Sequence, residues 1–199
     1  TLSLHDALPI LGLLKLGRFH RERGDSVAFT RGISGRMADQ EWDRIYVASL
    51  FTFQWRTVLK TLRFYGKSVK EPEKNLFAGG PMASLMGEEL AAAAPCRPIP
   101  GVLDSAEKIG LEGVDVDSLL PDFSLLPDPT VYPVLGEAWI ASATRGCSGR
   151  CAFCSVREVY PPVRRLRAHK GPGGKLPADL RRAEPACAAG QQCSGVPLS

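Results

Sequence analysis

The chain has 199 residues and a mass of 21.5 kDa, with 44% hydrophobic and 23% charged residues. This composition is typical of a globular protein rather than a disordered or membrane-spanning one. No apolar run approaches the roughly 20 residues that cross a bilayer. The longest candidate, Ala7 to Leu14, contains Pro9 and Gly12 and lacks the flanks of a signal peptide. We therefore expect a soluble, cytoplasmic protein with no membrane partner.

The net charge of +4 is unevenly distributed. Residues 1–154 carry 17 Lys and Arg against 18 Asp and Glu, whereas residues 155–199 carry 8 against 3. A basic tail can indicate a nucleic-acid partner. However, no aromatic residue follows Tyr160 to stack on bases. We interpret the tail as a solvated, disordered segment and do not expect nucleic acid to bind it.

The apolar pattern predicts alternating helices and strands in the first half of the chain. Its spacing favours a helix from Leu11 to Arg23, a short strand from Ser26 to Thr30, and a strand buried on both faces from Asp43 to Phe51. Thr52 is predicted to cap a second helix that ends at Gly66. The apolar face of that helix comprises Trp55, Val58, Leu59, Leu62 and Tyr65.

A further strand and helix follow the same order. Asn75 to Ala78 is predicted as a brief strand that leads into Gly79-Gly80-Pro81. A helix is predicted after it, with one face formed by Met82, Leu85, Met86, Leu90 and Ala93. This alternation predicts an α/β fold with a Rossmann-like parallel sheet. Glu137 to Thr144 is predicted to resume as a strand.

Three of the six cysteines lie within eight residues, with the spacing C-x3-C-x2-C. The six are Cys96, Cys147, Cys151, Cys154, Cys187 and Cys193. Disulfides within so short a loop are strained, and a cytoplasmic compartment keeps thiols reduced. Three thiolates on one loop can each hold one iron of a cubane [4Fe–4S] cluster and leave the fourth iron open to a small molecule. Gly146 and Gly149 permit the tight turns that this wrapping needs.

This loop resembles that of the radical SAM superfamily. Cys147, Cys151 and Cys154 match the three cluster ligands of the family, and Phe153 matches the aromatic position near the adenine of S-adenosylmethionine. Thr144-Arg145-Gly146 is also a common lead-in. The upstream stretches GLLKLGRFHRERGD, DRIYVASLFTFQW and LFAGGPMASLM resemble the cobalamin-binding-type domain that precedes many radical SAM barrels.

The resemblance implies a definite chemistry. S-adenosylmethionine would bind the open iron, and one electron from a donor such as a flavodoxin or ferredoxin would cleave it to methionine and a 5′-deoxyadenosyl radical. That radical would abstract hydrogen from a substrate that the sequence does not identify. The Asp-x-His-x-x-Gly motif of many relatives is not found in the sequence, so cobalamin is a possible but unsupported cofactor.

The length after the loop limits these expectations. Only 45 residues follow Cys154, too few for the later strands of a partial (β/α) barrel. Gly173-Gly174-Lys175 does not replace the family's Gly-Gly-Glu element, because it follows no strand and ends in the wrong charge. We therefore expect a fragment that is inactive by itself and predict no catalytic residue in it.

The predicted organisation has five parts. Residues 1–10 are expected to be a non-native leader, and 11–94 an N-terminally truncated Rossmann-like domain of the cobalamin-binding type. Residues 95–136 form a connector, and 137–162 begin the radical SAM domain with its cluster loop. The tail is residues 163–199.

The main alternative is a non-catalytic zinc module with a basic, nucleic-acid-binding tail. In that case His169, Cys187 or Cys193 would complete the site of the three loop cysteines. Paired C-x2-C units are the usual zinc arrangement, and the spacing from Cys187 to Cys193 suits zinc poorly. The iron–sulfur interpretation is therefore favoured. Cys96 is expected to have no role.

Other noticeable residues have ordinary structural interpretations. His20 is expected to be a polar surface residue rather than a ligand, and His5 lies in the leader. Gly79 and Gly80 fit equally a phosphate or corrin contact at a strand end and a tight strand-to-helix turn. The remaining large side chains are expected to pack in the core; they are Met82, Met86, Trp42, Trp55 and Trp139.

Overall fold

A computed structural model describes residues 8–126, 144–149, 151–160 and 162–165. All of these residues belong to one folded unit of the chain. None of the helices within these ranges is both long and apolar enough to cross a membrane.

Three short parallel strands form the sheet that organises these residues. They are β1 (Ile45–Ala48), β2 (Leu76–Gly79) and β3 (Arg97–Ile99), in the spatial order β1-β2-β3. Ile45 lies opposite Leu76 in the first pair. Because parallel neighbours need a crossover, helices connect the strands. The α/β, Rossmann-like fold class predicted from the sequence is confirmed.

Helices flank the sheet along the chain. The α-helices of the described residues are α1 (Leu8–Glu22), α2 (Gly35–Ala38), α3 (Trp55–Tyr65), α4 (Pro72–Asn75), α5 (Pro81–Leu85), α6 (Gly87–Ala93) and α7 (Val156–Val159). Short 3-10 helices cover Thr52–Gln54, Ala106–Ile109, Val116–Ser118 and Phe123–Leu125. A separate antiparallel pair is formed by β4 (Thr144–Arg145) and β5 (Arg164–Arg165).

The central strand β2 places apolar side chains on both faces of the sheet. Leu76 and Ala78 belong to a core cluster with Val58 and Leu62 of α3 and Leu90 of α6. Since successive side chains of a strand point to opposite faces, Phe77, which lies between Leu76 and Ala78, packs on the other face of the sheet. Its partners there come from α1 and the 3-10 helices; this second cluster contains Phe77, Leu16, Phe19, Ile109 and Val116. Each face of the sheet is therefore covered.

The two main predicted helices are confirmed. α1 buries Leu11, Leu14, Leu16 and Phe19, as its helical spacing indicated. α3 buries Val58, Leu62 and Tyr65 and ends at Gly66, whose N–H donates to the carbonyl of Leu62 at 2.8 Å. Both helices pack against the sheet through these apolar faces.

Several local predictions are wrong. Residues 26–30 form no strand, since no neighbouring segment within the described residues pairs with them. β1 is shorter than predicted, and its residues are half-buried rather than buried on both faces. Thr52 does not cap α3. It begins a 3-10 turn that precedes that helix, and no side chain caps either element.

The helix predicted after Gly79-Gly80-Pro81 is broken in two. The backbone leaves the helical region at Met86, and α6 starts again at Gly87. Met82 and Leu90 are buried as expected, whereas Leu85 is 37% exposed. At Gly87 a Cβ would lie 3.2 Å from Cβ of Pro98, so the break lets α6 approach β3 closely.

The strand β3 was not predicted, because it lies within the segment assigned to the connector. It has only three residues, and the middle one is Pro98. Proline cannot donate to a neighbouring strand and is found on edge strands. β3 pairs only with β2 in the described sheet, which makes this proline tolerable.

Candidate metal centre

The cluster loop begins at β4 and ends at α7. Gly146 turns the chain with a φ of 86°, a conformation that glycine adopts readily. The N–H of Cys154 donates to the carbonyl of Cys151 at 3.2 Å, which closes a tight turn. Cys147, Cys151 and Cys154 all carry free thiols, and the first two are exposed. The loop therefore presents three available sulfur atoms.

Two of these sulfur atoms, those of Cys147 and Cys151, lie close to Gly149. Its N–H donates to Sγ of Cys147 at 3.3 Å. A Cβ at this position would lie 3.3 Å from Sγ of Cys147 and 3.8 Å from Sγ of Cys151. Backbone N–H groups aimed at ligand sulfur stabilise thiolates and tune iron–sulfur clusters. The donor set and this glycine thus fit a cluster held by three cysteines.

No three His, Cys, Asp or Glu side chains within the described ranges are grouped closely enough to hold a single metal ion. The side chains that the zinc alternative would add are His169, Cys187 and Cys193, and they lie outside the described residues. The assignment of the three loop cysteines as ligands stays a prediction.

Phe153 lies on the loop immediately before Cys154. Its side chain is 93% exposed, the highest value among the large hydrophobic residues described. A phenylalanine in this position contributes little to packing and leaves its ring accessible to a flat ligand. The proposed contact with adenine is compatible with this exposure and is otherwise untested.

A buried ionic network joins the start of the loop to the α/β unit. Arg145 donates to both carboxylate oxygens of Asp117, through Nη2 at 2.7 Å and Nε at 3.1 Å. Lys15 of α1 donates from Nζ to Oδ1 of Asp117 at 3.1 Å and to its backbone carbonyl. The Lys15 and Asp117 side chains are only 8% and 4% exposed. The charge of the nearby Asp115 carboxylate also acts on Lys15 and favours its charged form, so Asp117 is not the sole carboxylate beside the two cations.

Burial and charge act in opposite directions on these groups. Burial alone would raise the pKa of Asp117, but hydrogen bonds from Arg145 and the charge of Lys15 outweigh it and hold the pKa below its ordinary value. Burial also lowers the pKa of Lys15, despite the attraction of Asp117. Asp117 is therefore ionised at neutral pH and holds Arg145 firmly.

The end of the loop returns to the carboxyl edge of the sheet. α7 packs against α5, which follows directly from the end of β2. Val159 is buried, and its carbonyl oxygen lies 3.4 Å from where a Cβ on Gly101 would be. The guanidinium of Arg145 also lies 5.9 Å from the ring centroid of Tyr160. Ligands of open α/β sheets bind at this edge.

Sequence reasoning missed the roles of Lys15 and Asp117. Lys15 stands at the helical spacing of Leu11 and Phe19, which places a charge on the buried face of α1. That misplaced charge is the sequence signal that could have indicated a buried partner. Nothing in the sequence identifies Asp117 as that partner, since it lies 102 residues away.

His20 differs from its predicted surface position. It is 9% exposed, and Nδ1 lies 2.7 Å from Oδ2 of Asp25, while Nε2 lies 2.9 Å from the hydroxyl of Tyr46. Both ring nitrogens therefore have partners, so His20 is a buried structural residue. Burial raises the pKa of Tyr46 to about 12, which keeps its hydroxyl protonated.

Packing explains one glycine of the pair after β2. Gly80 has a φ of 104°, and a Cβ there would lie 2.3 Å from the carbonyl oxygen of Ser49. This close approach favours the tight-turn interpretation for Gly80, whereas a Cβ at Gly79 would contact nothing within 4 Å. Met82 is buried and Met86 packs against the same cluster, as does Trp55. His5 and Trp139 lie outside the described residues.

The structure also places Cys96, which was expected to have no role, and Trp42, which was predicted to pack in the core. Cys96 is buried, and burial raises the pKa of its thiol to about 11, so it is inert at neutral pH. Trp42 is half-buried and donates from Nε1 to the carbonyl of Met37 at 2.8 Å. Neither residue contributes to the loop.

One curated protein is similar to part of the chain. It is the tRNA-2-methylthio-N(6)-dimethylallyladenosine synthase of Methylobacillus flagellatus, which is 31% identical over 105 residues. The match covers 47% of this chain and 23% of that protein, so the chain spans less than a quarter of its relative. No family model and no solved structure matches the chain. This partial similarity supports the resemblance to the radical SAM superfamily.

Proposed function

We propose that this chain binds a [4Fe–4S] cluster through Cys147, Cys151 and Cys154 and that the cluster binds S-adenosylmethionine, as in the radical SAM superfamily. The observation that carries the proposal is the loop itself. Three free thiols share the C-x3-C-x2-C spacing, and the sulfur atoms of Cys147 and Cys151 both lie beside Gly149. The similarity to the methylthio-modifying synthase supports the same family.

When bound, such a cluster supplies the electron that reductively cleaves S-adenosylmethionine. The chain's own residues would hold and orient the cluster. The thiolates of the three cysteines ligate iron, and the N–H of Gly149 donates to Sγ of Cys147 and so offsets its negative charge. The exposed ring of Phe153 offers a face to the adenine.

The proposal includes neither a substrate nor cobalamin. The groups that recognise a substrate would come mainly from a barrel that extends beyond the loop. Both nitrogens of His20 are engaged with protein groups, so this histidine provides no cobalamin ligand. An external flavodoxin or ferredoxin would supply the electron.

Anaerobic reconstitution of the full chain with iron and sulfide tests the proposal. We expect about four irons per chain and an electron paramagnetic resonance spectrum of the reduced sample that changes when S-adenosylmethionine is added. Zinc bound in place of iron would establish the alternative zinc module. If the cluster forms but its spectrum does not change when S-adenosylmethionine is added, the proposed binding of S-adenosylmethionine is wrong.

Substitution of each loop cysteine by alanine tests the ligand assignment. Cys147→Ala, Cys151→Ala and Cys154→Ala should each lower the iron content severalfold, because three cysteines have no spare ligand. Cys96→Ala is the matched control, since that thiol is buried and packs among core residues. Full iron content in any one of the three loop variants would contradict the assignment.

A further inference from the structure

A continuous chain of contacts connects α1 to the first cluster cysteine. Lys15 binds Asp117, Asp117 binds Arg145 through both carboxylate oxygens, and Arg145 precedes Cys147 by two residues. Two residues span at most about 7 Å of extended chain. The position of the Arg145 guanidinium therefore limits where Cys147 can lie.

Within the described residues, few other contacts fix this end of the loop. β4 and β5 have two residues each, and an isolated two-stranded pair is marginally stable at best. Cys147 and Cys151 are exposed, so packing does not hold them. The bidentate Arg145–Asp117 pair has the planar geometry that sets direction as well as distance. Its carboxylate is in turn held by Lys15 and by the backbone turn that Asp115 caps.

A purely structural contact would not need charges here. Replacing a buried ion pair with packed hydrophobic residues is often neutral or stabilising, so buried ions are poor evidence of stability alone. Arg145 also brings a positive charge to a position two residues before the predicted ligand Cys147. Net charge near a cluster is one of the determinants of its reduction potential.

We propose that Asp117 is a positioning residue for the cluster loop, which acts through Arg145 and is backed by Lys15. It holds the loop against the α/β unit so that Cys147 faces Gly149 and the other two cysteines. The positive charge of Arg145 raises the reduction potential of the bound cluster. This inference rests on the proposed function, but the loop's restraint can be measured without a cluster.

Hydrogen–deuterium exchange of the full chain without iron measures that restraint. Arg145→Met frees the loop and leaves a balanced Lys15–Asp117 pair, and Asp117→Asn removes the acceptor itself. In both variants we expect exchange in residues 144–149 to be about tenfold faster or more. Exchange in β2, residues 76–79, reports global folding and should stay unchanged in Arg145→Met.

Asp122→Asn is the matched control. Asp122 also accepts a bond from a cation of α1, Arg21, at 2.7 Å, but it does not contact the loop. This variant should exchange like the wild type in residues 144–149. Wild-type exchange in Arg145→Met with an unchanged β2 would overturn the inference, and so would equal acceleration in Asp122→Asn.

The cluster-loaded chain supplies a second readout that mere structural support would not move. With iron bound, Arg145→Met should lower the midpoint potential and shift the electron paramagnetic resonance g values, whereas Asp122→Asn should reproduce the wild type. An unchanged potential would overturn the electrostatic part. If the wild type takes up no iron, the proposed function fails, while the exchange measurement still decides whether Asp117 positions the loop.

Discussion

Charge balance in the buried network leads to an asymmetric prediction for stability. Lys15, Asp117 and Arg145 together carry a charge of +1, and their side chains are 8%, 4% and 22% exposed. Lys15→Met replaces one cation with an apolar side chain of similar length and leaves a neutral Asp117–Arg145 pair. Asp117→Asn removes the carboxylate that both cations bind directly and leaves Lys15 and Arg145 without that ionic partner.

The two substitutions should therefore differ in cost. Removing one partner of a buried ion pair costs about 3–5 kcal/mol when it leaves the other charge uncompensated. In Lys15→Met the Asp117 carboxylate keeps its bidentate pair with Arg145, so no buried charge is left uncompensated. We expect Asp117→Asn to lower the free energy of unfolding by about 3 kcal/mol or more, and Lys15→Met to change it by about 1 kcal/mol or less. The larger loss is a considerable part of the about 5–15 kcal/mol that stabilises a typical domain.

Urea unfolding followed by tryptophan fluorescence measures both variants. Trp42 and Trp55 lie in the described α/β unit and report its folding. The comparison requires equal denaturant slopes, because a changed slope would indicate a different unfolded or folded state. Equal losses in the two variants would refute the reasoning, since they would show that the charge balance of the network does not matter.

Two further predictions concern single groups. The pKa of Asp117 lies below its ordinary value of 3.8. Its ionised form therefore contributes stability that is fully present above pH 3.8 and is lost as the pH falls through the lowered pKa. In urea titrations, the difference in unfolding free energy between wild type and Asp117→Asn should stay constant from pH 7 to about pH 5 and narrow towards pH 3. A gap that widens on acidification would contradict the sign. In native protein at about pH 8, iodoacetamide should label the exposed thiols of Cys147 and Cys151 at least tenfold faster than Cys96, because burial raises the pKa of the Cys96 thiol to about 11. Mass spectrometry of tryptic peptides measures the labelling rate of each cysteine. Comparable labelling of Cys96 would contradict its buried position.

Part of the fold could be predicted because the determinants are local. The apolar spacing of α1 and α3 and the strand at β2 followed directly from the residues. β3 was missed because three residues containing Pro98 carry no local strand signal. Its strand conformation comes from pairing with β2. The break at Met86 was missed as well; α6 begins just after it at Gly87, where a Cβ would lie 3.2 Å from Cβ of Pro98, a contact that no local pattern shows.

For the candidate site, too, some features follow from the local sequence and others depend on tertiary contacts. The sequence by itself determined the donor chemistry, because the spacing of Cys147, Cys151 and Cys154 and the glycines between them are local properties of one loop. Only the tertiary structure decided what holds that loop, since Lys15 and Asp117 are 102 residues apart and Asp117 and Arg145 are 28 apart. Buried charges must find partners wherever the fold brings them, and no pattern along the chain specifies which ones meet.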